Sequence, residues 1–255
     1  MPRSRNPKGL RPFFSYYGGK WRETPNLYPE PVHETVVEPF AGSAGYATRY
    51  ASHKVILCEV DPVLAAVWQY LILVKAEEIL SIPDLSPDES VEDLQINQEA
   101  KWLVGLWLNR GVSSPRKNPS QWMRSKIRPG SFWGARVRRT IALQVDLIRH
   151  WKIYHCSYVD CPTPRTATWF IDPPYIEAGR HYRYGAQQLD YVALAEWCRS
   201  RSGQVIVCEN EGATWLPFCE LASVKTSRTQ RSKEVCWLNC EKKVDEYGFV
   251  FSLET

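Results

Sequence analysis

Trp169-Phe170-Ile171-Asp172-Pro173-Pro174-Tyr175 is the stretch on which the reading of this 255-residue chain turns. The apolar run 168–171 has the length and composition of a buried strand, and two consecutive prolines end it, because proline cannot continue a ladder. Asp172 and the ring of Tyr175 are thereby set at the strand's C-terminal end. In open α/β sheets that is where ligands bind.

Upstream, residues 35–39 (TVVEP) read as a strand followed by a turn of small residues and then a helix to about residue 50. A strand, a small-residue turn and a helix start make a nucleotide-type pocket, in which free N–H groups at the helix start hold an anion. The fingerprint Gly-x-Gly-x-x-Gly is absent. Residues 54–59 (KVILCE) read as a second strand whose terminal Glu59 suits the two hydroxyls of a ribose, with Asp61 as fallback or helix cap. The helix beginning at Pro62 is expected to run to about residue 80. Before all of these, PFFSYYGGK (12–20) is an aromatic run ending in Gly18-Gly19-Lys20, a turn that brings Lys20 to a carboxylate or phosphate, without P-loop spacing.

Residues 81–90 are rich in Pro, Ser and Asp and mark a boundary. A Leu- and Trp-rich helix is expected over 91–108. Residues 109–140 then carry nine Lys/Arg and no acid, with Trp122, Phe132 and Trp133 interleaved. Such a run fits a nucleic-acid backbone, its rings offering stacking surfaces. A further helix is expected over 141–151. Strands follow at 152–158 and 166–171, a basic-aromatic loop at 176–185, a helix at 189–201 and a strand at 204–209. Asn210-Glu211-Gly212 is a second possible site-lining turn. Strand-like segments 222–226, 234–239 and 248–253 close the chain. This alternation indicates a largely parallel sheet with an antiparallel edge.

Composition sets bounds on this picture. A net charge of +4 decides little by itself. Residues 1–11 carry four Lys/Arg and read as a mobile basic arm. Eight cysteines with no Cys-x-x-Cys pair and no preceding secretory signal read as reduced thiols in a cytoplasmic protein. His155, Cys156 and Cys161 are poorly spaced for zinc, and no metal is expected. No apolar run approaches the roughly 20 residues of a membrane span.

YYGGK (16–20), EPFAGSAG (38–45), DPPY (172–175) and RSKEVCWLN (231–239), in that order, resemble the Dam-type family of DNA adenine-N6 methyltransferases, phage-encoded members above all. The resemblance spans residues 12–253 and is weakest across the insert. It implies the α/β class I methyltransferase fold, Rossmann-like, with a mixed seven-stranded sheet and helices on both faces. Residues 1–80 and 141–255 would form the catalytic domain, and 81–140 a small DNA-recognition insert of helices and loops. It implies S-adenosylmethionine as methyl donor, in a site made by Tyr17, Gly19, Lys20, Glu38, Pro39, Phe40, Gly42, Ser43, Ala44, Gly45, Glu59, Ser157, Tyr158 and Asp172. Asp172, Pro173, Pro174 and Tyr175 would be the catalytic set, Asp172 and the Pro173 carbonyl accepting the adenine N6 hydrogens and Tyr175 stacking on the flipped base. Double-stranded DNA would be held by Asn109, Arg110, Arg116, Lys117, Arg124, Lys126, Arg128 and Arg136, and by Arg180, His181, Arg183 and Tyr184.

Two departures qualify the likeness. Ser157 stands where many family members carry an acid toward the cofactor's adenine. The insert opens on Leu108-Asn109-Arg110 but lacks the aromatic-Asn-Gly-Leu and Phe-Asn segments associated with reading GATC. Phosphate contacts carry no direct sequence information, so low or very short sequence specificity is expected. The alternatives are methylation of cytosine N4 or of RNA adenine by the same site, or a DNA-binding module without catalysis. A role in shielding phage DNA from host nucleases follows from the resemblance alone.

Overall fold

A computed structural model describes residues 9–22, 24–109, 111–121, 132–176, 183–225, 231–239, 242–244 and 250–252. After the one-turn helix α1 (Thr24–Leu27), the strands β1 (Thr35–Glu38) and β2 (Lys54–Glu59) lead to three helices. These are α2 (Pro62–Leu73), α3 (Ala76–Ser81) and α4 (Gln98–Leu106). Helix α5 (Ala135–Ala142) precedes β3 (Lys152–His155) and β4 (Ala167–Ile171). Helix α6 (Tyr191–Arg199), β5 (Gly203–Asn210), β6 (Cys219–Lys225) and β7 (Arg231–Leu238) follow.

Seven strands form one sheet in the order β3-β2-β1-β4-β5-β7-β6. β1 to β5 are parallel, and β7 runs antiparallel between β5 and β6. The last two segments, β8 (Lys242–Val244) and β9 (Val250–Ser252), pair only with each other. The sequence pattern does not mark β8, and it places the final strand with the rest of the tail.

Both faces of the central strands are apolar, as a covered parallel sheet requires. Period-two alternation sends Val36, Leu57, Phe170 and Ile206 to one core with α2, α4 and α5. It sends Val37, Cys58, Trp169 and Val207 to the other, where Leu194, Ala195 and Cys198 of α6 cover them. Asn239 extends the β5–β7 ladder with its side chain, accepting from the Val205 N–H (2.9 Å) and donating to the Gly203 carbonyl (2.8 Å).

Residues of 81–140 pack into the first core. Val91, Leu103, Val104, Leu106, Phe132 and Trp133 share it with β1 and α2. Phe132 and Trp133 are therefore buried, and the Trp133 indole donates to the Pro83 carbonyl at 2.9 Å. The stacking role expected of these two rings is corrected accordingly.

Helices are shorter than the apolar spacing suggests. The expected helix 62–80 breaks after Leu73, where the Arg149 guanidinium takes the carbonyls of Ile72 and Val74. The expected helix 91–108 becomes a 3₁₀ turn (Val91–Asp93) and α4. That at 141–151 becomes the end of α5 and a 3₁₀ turn (Val145–Ile148). The basic arm is anchored from residue 10 on: the Leu10 N–H meets the Thr48 carbonyl at 2.7 Å, and the Arg11 N–H meets Gln144 at 2.6 Å. Among the described residues no helix is long and apolar enough to cross a membrane.

Candidate active site

Strand order reverses between β1 and β4, and the C-terminal ends of these two strands carry Glu38 and Asp172. That reversal is the crevice in which an open α/β sheet takes ligands. After Glu38 the chain makes the turn 41–45, which Gly42 enters with φ +46°. A Cβ there would press on the Tyr16 ring at 3.3 Å, in a conformation L side chains rarely adopt. At Gly45 the constraint is proximity: a Cβ would lie 2.7 Å from the Trp21 nitrogen and 2.9 Å from that of Lys20. The Gly18-Gly19-Lys20 segment is thus laid main chain against main chain on the glycine turn.

Two carboxylates fasten this turn. Glu59, at the tip of β2, accepts from the Gly42 N–H (2.9 Å) with one oxygen and from the Asp61 N–H (3.0 Å) with the other. Glu38 accepts from the Ala47 N–H at 2.6 Å. The segment Ala47–Tyr50 is a 3₁₀ turn rather than the expected α-helix, and its first N–H is held by Glu38. The anion-holding helix start read from the sequence is therefore corrected. Burial raises the pKa of both acids, against the pull of the Ala47 N–H on Glu38 and of the Asp61 and Gly42 N–H groups on Glu59. Asp61 caps α2 by accepting from the Val63 N–H at 2.9 Å.

Around Asp172 lies a buried polar cluster. Lys20 Nζ is 3.3 Å from Asp172 Oδ1 and 3.7 Å from Glu234 Oε1, and donates to the Gly18 carbonyl at 3.2 Å. Its ammonium sits 4.5 Å above the centre of the Tyr175 ring, a cation–π distance. The Tyr175 hydroxyl donates to Glu234 Oε2 at 2.8 Å, and that of Tyr28 approaches the same oxygen at 3.3 Å. Asp172 Oδ1 is fully buried, ion-paired to Lys20 yet without a well-directed hydrogen bond. The side chain as a whole is 20% exposed, so that exposure belongs to its other atoms. Burial raises the Asp172 pKa, and the Lys20 charge opposes the rise.

One cavity joins these parts. Glu38, Gly42, Glu59, Ser157, Tyr158 and Asp172 line it, together with Tyr17, Gly19, Lys20, Pro39, Phe40, Ser43 and Gly45. Of the expected cofactor residues only Ala44 stays out, wholly buried behind the turn at φ +47°. Phe40 and Tyr158 stack on one another, centroids 5.5 Å apart and planes at 26°, forming a flat wall. Pro174 lines the cavity, whereas Pro173 and Tyr175 do not. Tyr175 faces inward onto Lys20 and Glu234, so in this structure it offers the cavity no stacking face. The Asn210-Glu211-Gly212 turn does not line the cavity either, which corrects the second-turn expectation.

Arg183 and Tyr184 stand at the cavity rim. Arg183 also borders a neighbouring cleft that Arg116, Lys117, Lys101 and Trp102 line. Lys117 pairs with Glu92 at 3.0 Å. Asn109 lines neither the cavity nor that cleft; nor does Arg136, which is exposed on α5. Arg110, Trp122, Arg124, Lys126, Arg128, Arg180 and His181 lie outside the described residues.

Sequence reasoning had passed over Tyr28 and Glu234. The signal for Glu234 was an acid inside an otherwise strand-forming run, 231–239, where a carboxylate is out of place unless partnered. Tyr28 carried no such mark.

With this sheet order and a cavity at its reversal, the fold is the expected class I methyltransferase type, an α/β Rossmann-like sheet. No family model and no curated protein matches the sequence. Among solved structures, the chain is similar to the rRNA methyltransferase aviRa from Streptomyces viridochromogenes. That likeness has 14% identity over 91% of this chain and 89% of that one, with a TM-score of 0.41. A conserved hypothetical protein from Streptococcus pyogenes is similar at 14% identity, covering 80% and 85% of the two chains, with a TM-score of 0.37. At these scores neither likeness bears on activity.

Proposed function

We propose that this protein transfers a methyl group from S-adenosylmethionine to the N6 amino group of adenine in DNA, acting on a base flipped out of the duplex. The observation that carries this is the single cavity running from the glycine turn and Glu59 to Asp172. Its charge suits such a ligand: Glu38, Glu59, Asp61 and Asp172 line it, and Lys20 is the one buried cation among the described residues that do. A sulfonium and an ammonium are cations, and buried carboxylates without matching positive charge favour them.

Glu59 and the turn 42–45 would hold the nucleoside end of the donor, and Glu38, Lys20 and Tyr17 would border its amino-acid end. When bound, S-adenosylmethionine supplies an electrophilic methyl group. Asp172 acts on the acceptor. Adenine's amino lone pair is conjugated into the ring and nucleophilically weak. Accepting one of its hydrogens at Asp172, which lines the cavity, draws the nitrogen toward a pyramidal form and stabilises the charge that grows on it. Holding amine and methyl in line supplies the remaining advantage. Arg183 and Tyr184 at the rim, with Arg116 in the adjoining cleft, would meet the strand's phosphates, giving affinity without sequence choice.

The test is incubation with methyl-labelled S-adenosylmethionine and, in parallel, duplex DNA, single-stranded DNA and structured RNA, followed by nucleoside analysis. Label in N6-methyladenosine of RNA alone, or in N4-methylcytosine, overturns the proposed acceptor. Mapping of modified adenines on plasmid DNA tests the specificity: many short contexts are expected, and a single long consensus overturns it.

A further inference from the structure

Two carboxylates, the half-buried Asp172 and the buried Glu234, share the Lys20 ammonium, and the proposed chemistry uses only the first. We propose that Glu234 is a positioning residue of the acceptor site: it draws Lys20 off Asp172 and fixes the Tyr175 ring beneath the ammonium, leaving Asp172 open to an incoming amine. This rests on the reading of Asp172 as the group that meets the acceptor amine.

The geometry carries the inference. Glu234 pairs across the ladder with Asn210, and alternation along β7 puts it on the same face as Cys236, in the core that contains Phe170 and Cys208. A carboxylate in such a layer is costly unless each oxygen is engaged. Oε2 takes the hydroxyls of Tyr175 and Tyr28, while Oε1 faces Lys20 at 3.7 Å. Lys20 is therefore held between two acids over a ring face, slightly nearer to Asp172. Without the Glu234 charge the ammonium would close on Asp172 alone. A carboxylate in a tight pair is a weaker acceptor for an incoming N–H.

The charged and titratable groups facing Asp172 are Lys20 from the glycine loop, Glu38 from β1, Tyr28 after α1, Tyr175 after β4, Cys208 and Glu209 from β5, and Glu234 from β7. Burial does most to raise the Asp172 pKa, Lys20 lowers it, and Glu234 raises it again. Removing the Glu234 charge leaves Lys20 less opposed, so the midpoint falls.

The experiment is a ¹³C NMR titration of the Asp172 carboxyl in the wild type, Glu234→Gln and Lys20→Met, alongside pH profiles of methyl transfer. In Glu234→Gln the Asp172 midpoint should drop by about one unit, the scale of a like-charge neighbour. The acid limb of kcat should move the same way, and kcat should fall roughly tenfold with cofactor affinity unchanged. In Lys20→Met the midpoint should rise. An unmoved midpoint in Glu234→Gln beside a moved one in Lys20→Met overturns the role of Glu234. Should Glu234→Gln not fold, Tyr28→Phe keeps the charge but removes a donor; Glu234 then pulls harder on Lys20 and the Asp172 midpoint rises, and its constancy is equally decisive. A wild type that methylates no nucleic acid defeats the proposed function instead, while the titration still judges the coupling.

Discussion

At the scale of single residues, Asp172 carries the heaviest load. Its neighbour Lys20 is 7% exposed and lies at 3.3 Å, so the carboxylate meets its cation inside the protein rather than in water. Replacing Asp172 with alanine leaves Lys20 with Glu234 and, on the proposed function, removes the acceptor for the amine. Methyl transfer should fall about 10²- to 10³-fold, the cost of deleting one preorganised transition-state contact. Binding of S-adenosylmethionine, measured by calorimetry, should stay within a few-fold, because the turn 42–45 and Glu59 do not depend on residue 172. Equal loss of binding and rate would mean that Asp172 serves the donor and not the acceptor. Tyr175 is the residue at which the sequence was least informative. Its place after two prolines was plain, but its side-chain direction depends on Glu234, which lies 59 positions away in sequence and beside it in space.

Among the elements, strands were legible and helix lengths were not. β1, β2, β4 and β5 are short apolar runs bounded by turns, and burial on both faces leaves them little choice of state. The ends of α2 are decided unequally. Its start is local, with Asp61 capping and Pro62 in the first turn. Its end is set by Arg149, whose guanidinium satisfies carbonyls 75 and 77 positions earlier in the chain. The antiparallel place of β7 is likewise a matter of tertiary pairing. The interface between the glycine turn and residues 18–21 is a further case. There, Gly45→Ala would put a methyl group 2.7 Å from the Trp21 nitrogen, against main chain that has little room to yield. Overpacking of this kind costs about 1–3 kcal/mol. A thermal melt should show that loss, and affinity for S-adenosylmethionine should drop at least tenfold as the two segments part. Unchanged affinity would separate the turn from the donor site.

For the whole molecule, two consequences follow from how the cores are filled. In sequence, residues 81–140 read as a recognition insert because their basic run is conspicuous, and Phe132 and Trp133 read there as stacking rings. Phe132 and Trp133 are buried in the same core as α2, with Val91, Leu103, Val104 and Leu106. Excision of residues 84–131 behind a short Gly/Ser linker removes Val91, Leu103, Val104 and Leu106 from that core, so the product should bind ANS and melt without a cooperative transition; a sharp melt would identify the segment as separable. The second consequence concerns pH. Burial raises the pKa of Glu38, Glu59, Asp172 and Glu209, the last to about 7. An acid whose pKa is higher folded than unfolded adds stability that is complete below the unfolded value, near 4, and disappears as pH climbs through the folded one. The ligand-free protein should accordingly show a higher urea midpoint at pH 5.5 than at pH 7.5. A midpoint that rises over that interval would mean that other groups dominate.

The main-chain contact between Gly45 and residues 20–21 has a bearing on how such a socket changes over generations. Its outline is drawn by peptide units, so exchanging Ser43 or Tyr17 alters what lines the opening while the frame persists. On the proposed division of the cavity such exchanges fall on the donor's side, and the acceptor's side at Asp172 is left as it is.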